Sequence, residues 1–302
     1  MAKIKMARVF SASIKEVFEE FLIDKSAGGA ATKTLETYKG QFSAIGKFLN
    51  LDMPIDELQE LDIKTAVVYM REQTNLTPTS ISSYTKALKS FLTWCNKNDK
   101  TAVNIQIFQA PETVKETYTN SELKLLLKKP NIRACSFVEY RNWVIINLLL
   151  NCGCRAKTLR TFLVKDVNLE NQMITYRHSK NGKLQIVPLC SAMIPILREY
   201  LRIRGGNNND VLFPSEDNTP LTESGLRQGI ERYNLNRGVE KTSIHLFRHT
   251  FAQHYLQNGG NSLYLQKILG HSTLAMTKHY CNIYDVELVK SFDNFSPLAN
   301  IK

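Results

Sequence analysis

Leu269-Gly270-His271-Ser272-Thr273-Leu274-Ala275-Met276-Thr277-Lys278-His279-Tyr280 is the stretch on which the reading of this chain turns. A helix ending at Gly270 is followed at once by a histidine, and Tyr280 stands nine residues further on. Alone, the pattern fits an ordinary buried tyrosine on a short helix. It gains a second reading if the rest of the chain supplies what a tyrosine hydroxyl needs in order to attack a phosphate.

Those needs follow from the chemistry. A phosphodiester is anionic, and its pentacoordinate transition state gathers more charge on the equatorial oxygens. Arginines suit that charge, because a planar guanidinium donates paired hydrogen bonds and keeps its proton. A phenol with a free pKa of about 10 must lose its proton to a base or in a cationic setting. The departing 5′-oxygen needs an acid. Upstream, His245-Leu246-Phe247-Arg248 puts a histidine and an arginine three apart on one helix face, continuing as His249-Thr250-Phe251-Ala252. Arg155 follows a glycine-containing break after a buried helix, in Asn151-Cys152-Gly153-Cys154-Arg155. Lys180 sits at a hairpin turn, where a flexible ammonium can reach a leaving group. Singly, Arg155 reads as a salt-bridge partner, Lys180 as a solvated turn residue and Tyr280 as core packing. His245, His249 and His254 have the four-residue spacing of metal ligands, but no His-Glu-x-x-His occurs and Arg248 would repel a dication, so no metal is expected.

Working outward, the chain reads as mainly α with a small β-sheet. Four apolar stripes fall between residues 12 and 100: Ile14, Val17, Phe18, Phe21, Leu22; Leu35, Tyr38, Phe42, Ile45, Leu49; Ile63, Ala66, Val67, Met70; and Ile81, Tyr84, Leu88, Phe91, Cys95. Asp62 is the expected N-cap of the third helix. Thr77-Pro78 reads as an N-cap with proline at the first helical position of the fourth. The outer faces carry Thr37, Lys39, Lys47, Lys86 and Lys89, either a solvated face or contacts to a phosphate backbone. Weak periodicity around Pro111 marks a linker, and Thr119-Asn120-Ser121-Glu122 has capping-box spacing. Further helices are expected near 120–129, 137–152, 190–204, 222–236, 245–257, 261–269, 273–280 and 285–293. Met173 to Arg177 and Leu184 to Val187 read as strands joined through Asn181-Gly182.

Across 302 residues the net charge is +11. Residues 1–110 hold 14 Lys/Arg against 12 Asp/Glu, and residues 111–302 hold 25 against 16. A surplus carried by one part of the chain favours a polyanionic partner, with nucleic acid ahead of an anionic membrane. The longest apolar run, Trp143 to Leu150, is interrupted by Asn147 and too short to span a bilayer. No apolar run follows the basic N-terminus, so no secretory signal is expected. Six scattered cysteines without a Cys-x-x-Cys read as reduced thiols in a cytoplasmic protein.

The order Arg155, Lys180, His245-x-x-Arg248, His271, Tyr280 resembles the tyrosine recombinases, the family of phage integrases and Xer-type recombinases. His245 to Ala252 and Leu269 to Tyr280 carry the resemblance most specifically, followed by Lys180 with Gln185-Ile186-Val187-Pro188-Leu189. It implies a helical, SAM-like core-binding domain over 1–105, a linker over 106–118, and a mixed α/β catalytic domain over 119–302. Tyr280 would attack the scissile phosphate, forming a 3′-phosphotyrosine and freeing a 5′-hydroxyl. Arg155 and Arg248 would clamp the non-bridging oxygens, Lys180 would protonate the 5′-oxygen, His245 would serve as base or proton shuttle, and His271 would hydrogen-bond the phosphate and position it. Neither ATP nor another cofactor is implied, because the phosphotyrosyl bond conserves the energy of cleavage. The implied partners are double-stranded DNA at a specific site, three further copies of the chain on two duplexes, and accessory DNA-bending proteins or a partner recombinase. Residues 285–294 would dock on a neighbouring copy, and the protein would work at the nucleoid.

The sequence departs from the family pattern around Arg155. Asn151-Cys152-Gly153-Cys154-Arg155 stands where a Thr-Gly-Leu-Arg run is usual, and Thr158, preceded by Lys157, where an acidic residue is usual. About ten residues precede the first helix, so the arm-site DNA-binding domain of the larger phage integrases is not expected. Within the family the expectation is the integrase or transposase of a mobile element, ahead of a Xer-type resolvase of chromosome dimers. A topoisomerase of the same chemistry and a non-catalytic DNA-binding protein on the same scaffold are the other readings.

Overall fold

The computed structural model describes residues 12–72, 75–111, 116–177, 184–271, 273 and 277. The chain divides into two compact units, Met1–Thr113 and Val114–Lys302.

In the first unit four helices close a core: α1 (Ile14–Ala27), α2 (Thr32–Ile45), α3 (Glu60–Glu72) and α4 (Pro78–Lys97). All five residues of the first apolar stripe are buried. Phe18 stacks on Phe42 with ring centroids 3.6 Å apart, and Phe91 meets Phe18, Phe21 and Phe42 edge-on. Such aromatic clusters add contact energy beyond their area, and here they bind α1, α2 and α4 into one core. Thr77 caps α4, its hydroxyl accepting from the Ser80 N–H at 3.2 Å with Pro78 in the first turn. Asp62 is not the N-cap of α3. The helix begins at Glu60, and Asp62 lies inside its first turn, accepting from the Gln59 N–H at 2.8 Å. From the third helical position a carboxylate accepts from the N–H of the cap residue, where a cap side chain would accept from N–H groups of the first turn, so the start signal is offset by three residues. Beyond α4 the chain stays on this core. Ile105 is buried, and the Phe108 N–H donates to Thr85 Oγ1 at 3.2 Å.

The second unit is built around α6 (Phe137–Cys152), buried nearly all round and therefore apolar on every face. Packed on it are α5 (Asn120–Leu127), α8 (Met193–Arg204), α9 (Glu223–Asn236) and α10 (Ile244–Gln257). Helix α7 (Ala156–Arg160) follows α6, and α11 (Ser262–Leu269) follows α10. At α5 the capping box is complete: Thr119 Oγ1 accepts from the Glu122 N–H, and Glu122 Oε2 accepts from the Thr119 N–H. The sheet is antiparallel in the order β1 (Val167–Asn168), β2 (Met173–Tyr176), β3 (Gln185–Pro188), with Ile174 opposite Val187 and Tyr176 opposite Gln185. Ile174, Tyr176 and Val187 face the core. The expected hairpin strands are thus present, while Asn181-Gly182 lies outside the described residues. The sequence reading missed β1 and α7, which are too short to show periodicity. Of the expected helix at 273–280 only Thr277 is described in helical geometry, and the one near 285–293 lies outside the described residues.

Candidate active site

The C-terminal ends of two helices meet beside α10. Helix α6 ends at Gly153 in left-handed geometry (φ 58°, ψ 26°), its N–H capping the Leu149 carbonyl. A side chain is excluded there for two reasons: the conformation disfavours a Cβ, and a Cβ would lie 2.5 Å from Phe251 Cδ1 and 2.9 Å from Leu269 Cδ2. The turn therefore packs directly on α10 and α11. Helix α11 also ends on a left-handed glycine, Gly270 (φ 62°). Between these two ends sit the arginines.

Arg248 lies on the inner face of α10 and is 6% exposed. Its Nη1 donates to the Gly153 carbonyl at 2.7 Å, and its Nη2 donates to the Leu269 carbonyl at 2.9 Å and to His271 Nε2 at 2.8 Å. Arg155, half-buried, is the residue from which α7 starts, and its Nη2 reaches the Gly270 carbonyl at 3.4 Å. These acceptors are main-chain carbonyls and an imidazole. These neutral contacts orient the guanidiniums without themselves adding a negative charge.

The histidine's state follows from the arginine's chemistry. A guanidinium has only donors, so His271 Nε2 must accept and the proton must sit on Nδ1. That N–H points to Thr277 Oγ1 at 2.9 Å. Behind the arginines, its hydrogen bond with Cys152, together with burial, pushes the Cys154 thiol up, burial pushes the Tyr176 phenol up, and the Cys152 thiol is lowered against its own burial by hydrogen bonds with Cys154 and Tyr176 and by the Arg248 charge. Two guanidiniums brought together at main-chain carbonyls make a site suited to the charge of a trigonal-bipyramidal phosphorus centre.

The structure thus brings together Arg155, Arg248 and His271. His245 lies one turn before Arg248 on α10 and is exposed. Lys180 and Tyr280 lie outside the described residues.

Residues 116–287 match the phage integrase family. The chain belongs to the phage integrase family. It is a tyrosine recombinase, and its relatives carry that name. A tyrosine recombinase of Pseudothermotoga lettingae is 27% identical over 261 residues, covering 84% of this chain and 88% of that protein. The tyrosine recombinase XerA of Saccharolobus solfataricus is 27% identical over 277 residues, covering 89% and 88%. Among solved structures, the Tn1549 transposon integrase in complex with a circular intermediate DNA shares the fold with a TM-score of 0.77 at 19% identity, covering 94% of this chain and all of that one. The XerA recombinase structure gives 0.52 at 25% identity, covering 94% and 99%.

In this tyrosine recombinase several contacts escaped sequence reasoning. Gln185, at the start of β3, donates from Nε2 to the Lys267 and Ile268 carbonyls at 2.6 and 2.7 Å, tying the sheet to the end of α11. Gln266 Nε2 donates to the His271 carbonyl at 3.3 Å. Polarity alone does not distinguish such glutamines from surface ones. Thr277 had a usable signal, standing three residues before Tyr280 at helical spacing.

On the recombinase's first unit, a cavity of about 360 Å³ opens between α2 and α4, lined by Lys33, Thr37, Gln41, Ser83 and Lys86 among others. Thr37 and Lys86 therefore share one groove, while Lys39 and Lys89 lie outside its lining. Lys33, Gln41 and Ser83 were not singled out from sequence, since nothing before folding places α2 beside α4. No helix among the described residues is long and apolar enough to cross a membrane.

Proposed function

We propose that this chain cuts and rejoins double-stranded DNA at a specific site through a 3′-phosphotyrosyl intermediate, as the integrase or transposase of a mobile genetic element. The observation that carries the reading is the convergence of Arg155, Arg248 and His271 on the Gly270 turn. Tyr280 attacks the scissile phosphorus, displacing the 5′-oxygen. Arg155 and Arg248 take the non-bridging oxygens, giving up carbonyl contacts for charge-assisted ones. Lys180 protonates the 5′-oxygen, and His245 accepts the tyrosine proton from the exposed rim of α10. His271 positions the phosphate through Arg248. The groove of Thr37 and Lys86, with Lys39 and Lys89 on the helices beside it, tracks the DNA backbone.

Four copies act on two duplexes at the nucleoid, with residues 285–294 docking on a neighbouring copy and accessory DNA-bending proteins or a partner recombinase assisting. The neighbouring fold of a transposon integrase bound to a circular intermediate supports the mobile-element role. The relatives named XerA, XerC and XerD favour a second reading, resolution of chromosome dimers.

The test is a nicked duplex carrying the protein's own site, in which cleavage releases a short strand and traps the covalent adduct. Wild type is expected to form the adduct and Tyr280→Phe to form none. An adduct with Tyr280→Phe, or none with wild type, refutes the mechanism. Integration of a circular donor into many targets, as against resolution of two directly repeated sites only, then separates the two roles.

A further inference from the structure

We infer that Gln185 is a positioning residue that acts on Arg155 through the Gly270 turn. The inference deepens the proposed function, since it rests on Arg155 as a clamp of the scissile phosphate.

The strand pattern first marks Gln185 as unusual. Side chains alternate along β3, with Ile186 exposed and Val187 buried. Gln185 lies directly opposite Tyr176, so it shares the core face of the sheet with Tyr176 and Val187. A polar amide on that face needs partners. It finds them on α11, where Nε2 donates to the Lys267 and Ile268 carbonyls at 2.6 and 2.7 Å. Only the amide nitrogen can donate, so the two carbonyls also fix which way the amide faces. Its Oε1 stands beside Gly270: a Cβ there would lie 2.8 Å from Oε1 and 3.7 Å from Arg155 Nη1.

The end of α11 shares out its last carbonyls among these groups. Gly270 and His271 close a Schellman motif, with the His271 N–H on the Gln266 carbonyl and the Gly270 N–H on the Lys267 carbonyl, both at 3.1 Å. Gln185 reaches Lys267 and Ile268, Arg248 reaches Leu269, and Arg155 reaches Gly270. The donors thus follow one another around the turn, and the arginines come last. Arg248 is anchored outside the turn as well, on the Gly153 carbonyl at 2.7 Å. Arg155 is half-buried and reaches the turn at 3.4 Å, so its guanidinium follows the Gly270 carbonyl.

The sheet supplies the fixed end of this tie. Ile174, Tyr176 and Val187 anchor β2 and β3 in the core. Gln185 therefore holds the α11 turn from the sheet side, independently of α10. Without its amide the Lys267 and Ile268 carbonyls lose this donor, the turn drifts from the sheet, and Arg155 moves with the Gly270 carbonyl. Misplacing a catalytic group by about 1 Å can slow a reaction by up to about a hundredfold.

The first test uses the full chain without DNA. Hydrogen exchange is read on peptic peptides that carry the Gly270 and His271 amides. Gln185→Met, of similar length but without a donor, is expected to speed exchange there about tenfold, the worth of the two lost bonds, and to leave the helices of the first unit unchanged. Unchanged exchange at Gly270 and His271 overturns the proposal.

The second test measures single-turnover adduct formation on a nicked duplex of the site that the protein selects from a random-sequence pool. Gln185→Met is expected to slow the rate about tenfold or more, with DNA affinity and final adduct yield unchanged. A loss of folded protein would lower the yield and leave the rate. In an Arg155→Lys background, where the planar fork is gone, the same substitution is expected to change the rate less than about threefold. Equal slowing in both backgrounds, or a lower yield at the wild-type rate, overturns the proposal. An adduct formed by Tyr280→Phe, or none formed by wild type, would instead refute the recombination mechanism, while the exchange measurement stands independently of activity.

Discussion

Substituting Gly153 by alanine tests whether the two helix ends meet as closely as described. Two penalties add. A residue with a Cβ in the left-handed region costs about 1–2 kcal/mol, and φ here is 58°. The new methyl would lie 2.5 Å from the Phe251 ring and 2.9 Å from Leu269, and overpacking of this kind costs about 1–3 kcal/mol. Together they come to roughly 2–5 kcal/mol, against about 5–15 kcal/mol for a whole domain. For a unit of this size each kcal/mol moves Tm by about 2–4 °C, so Gly153→Ala should lower the transition of the second unit by about 10 °C. Calorimetry checks this, with the first unit's transition as an internal standard. Trimming the ring separates the two penalties. In the double variant with Phe251→Leu, the steric part should be relieved, giving a favourable coupling of about 1 kcal/mol or more in a double-mutant cycle. A Gly153→Ala protein within about 1 kcal/mol of wild type, or a cycle with no coupling, would refute the close packing of α6 on α10 and α11. It would also undercut the placement of Arg248, whose Nη1 depends on the Gly153 carbonyl.

Two further outcomes follow from the geometry. Gln185→Leu removes two donors from the end of α11 and should cost about 1–2 kcal/mol in urea denaturation; Gln185→Glu should cost more, because its carboxylate would face two carbonyl oxygens, and equal stability of the two variants would argue against the tie. Lys86→Ala should reduce the slope of log affinity against log salt by about one unit in filter binding, whereas Lys64→Ala, on α3 and paired with Glu60, should leave it unchanged.

The helices were legible because their apolar stripes repeat at helical spacing and several carry explicit start signals. The capping box at Thr119 and Glu122 and the Thr77-Pro78 start are the clearest cases. Asp62 shows the limit of that code: the residue type was right for a helix start, but a carboxylate serves from the cap or from three residues inside. Within the candidate site, Arg155, Arg248 and His271 could be named from their types and order. Their partners could not, because the Gly153, Leu269 and Gly270 carbonyls are main-chain atoms that any residue carries. Gln185 escaped for a related reason, since it matters only through a contact made after folding.

Those carbonyl partners also offer an account of Thr158 standing where the resemblance leads one to expect an acidic residue. The ends of α6 and α11 present unpaired carbonyls and the negative ends of their helix dipoles, and both face the guanidiniums. Partial charges of this kind orient a guanidinium with modest attraction. A buried carboxylate would hold it harder but would neutralise it, and an incoming phosphate would have to compete with a full negative charge. With carbonyls as placeholders, exchange for phosphate oxygens replaces neutral acceptors by ionised ones, which roughly doubles the strength of each bond. Under the proposed function the arginines are thus oriented before DNA arrives, and this arrangement needs the two left-handed glycines that let the helix ends come together.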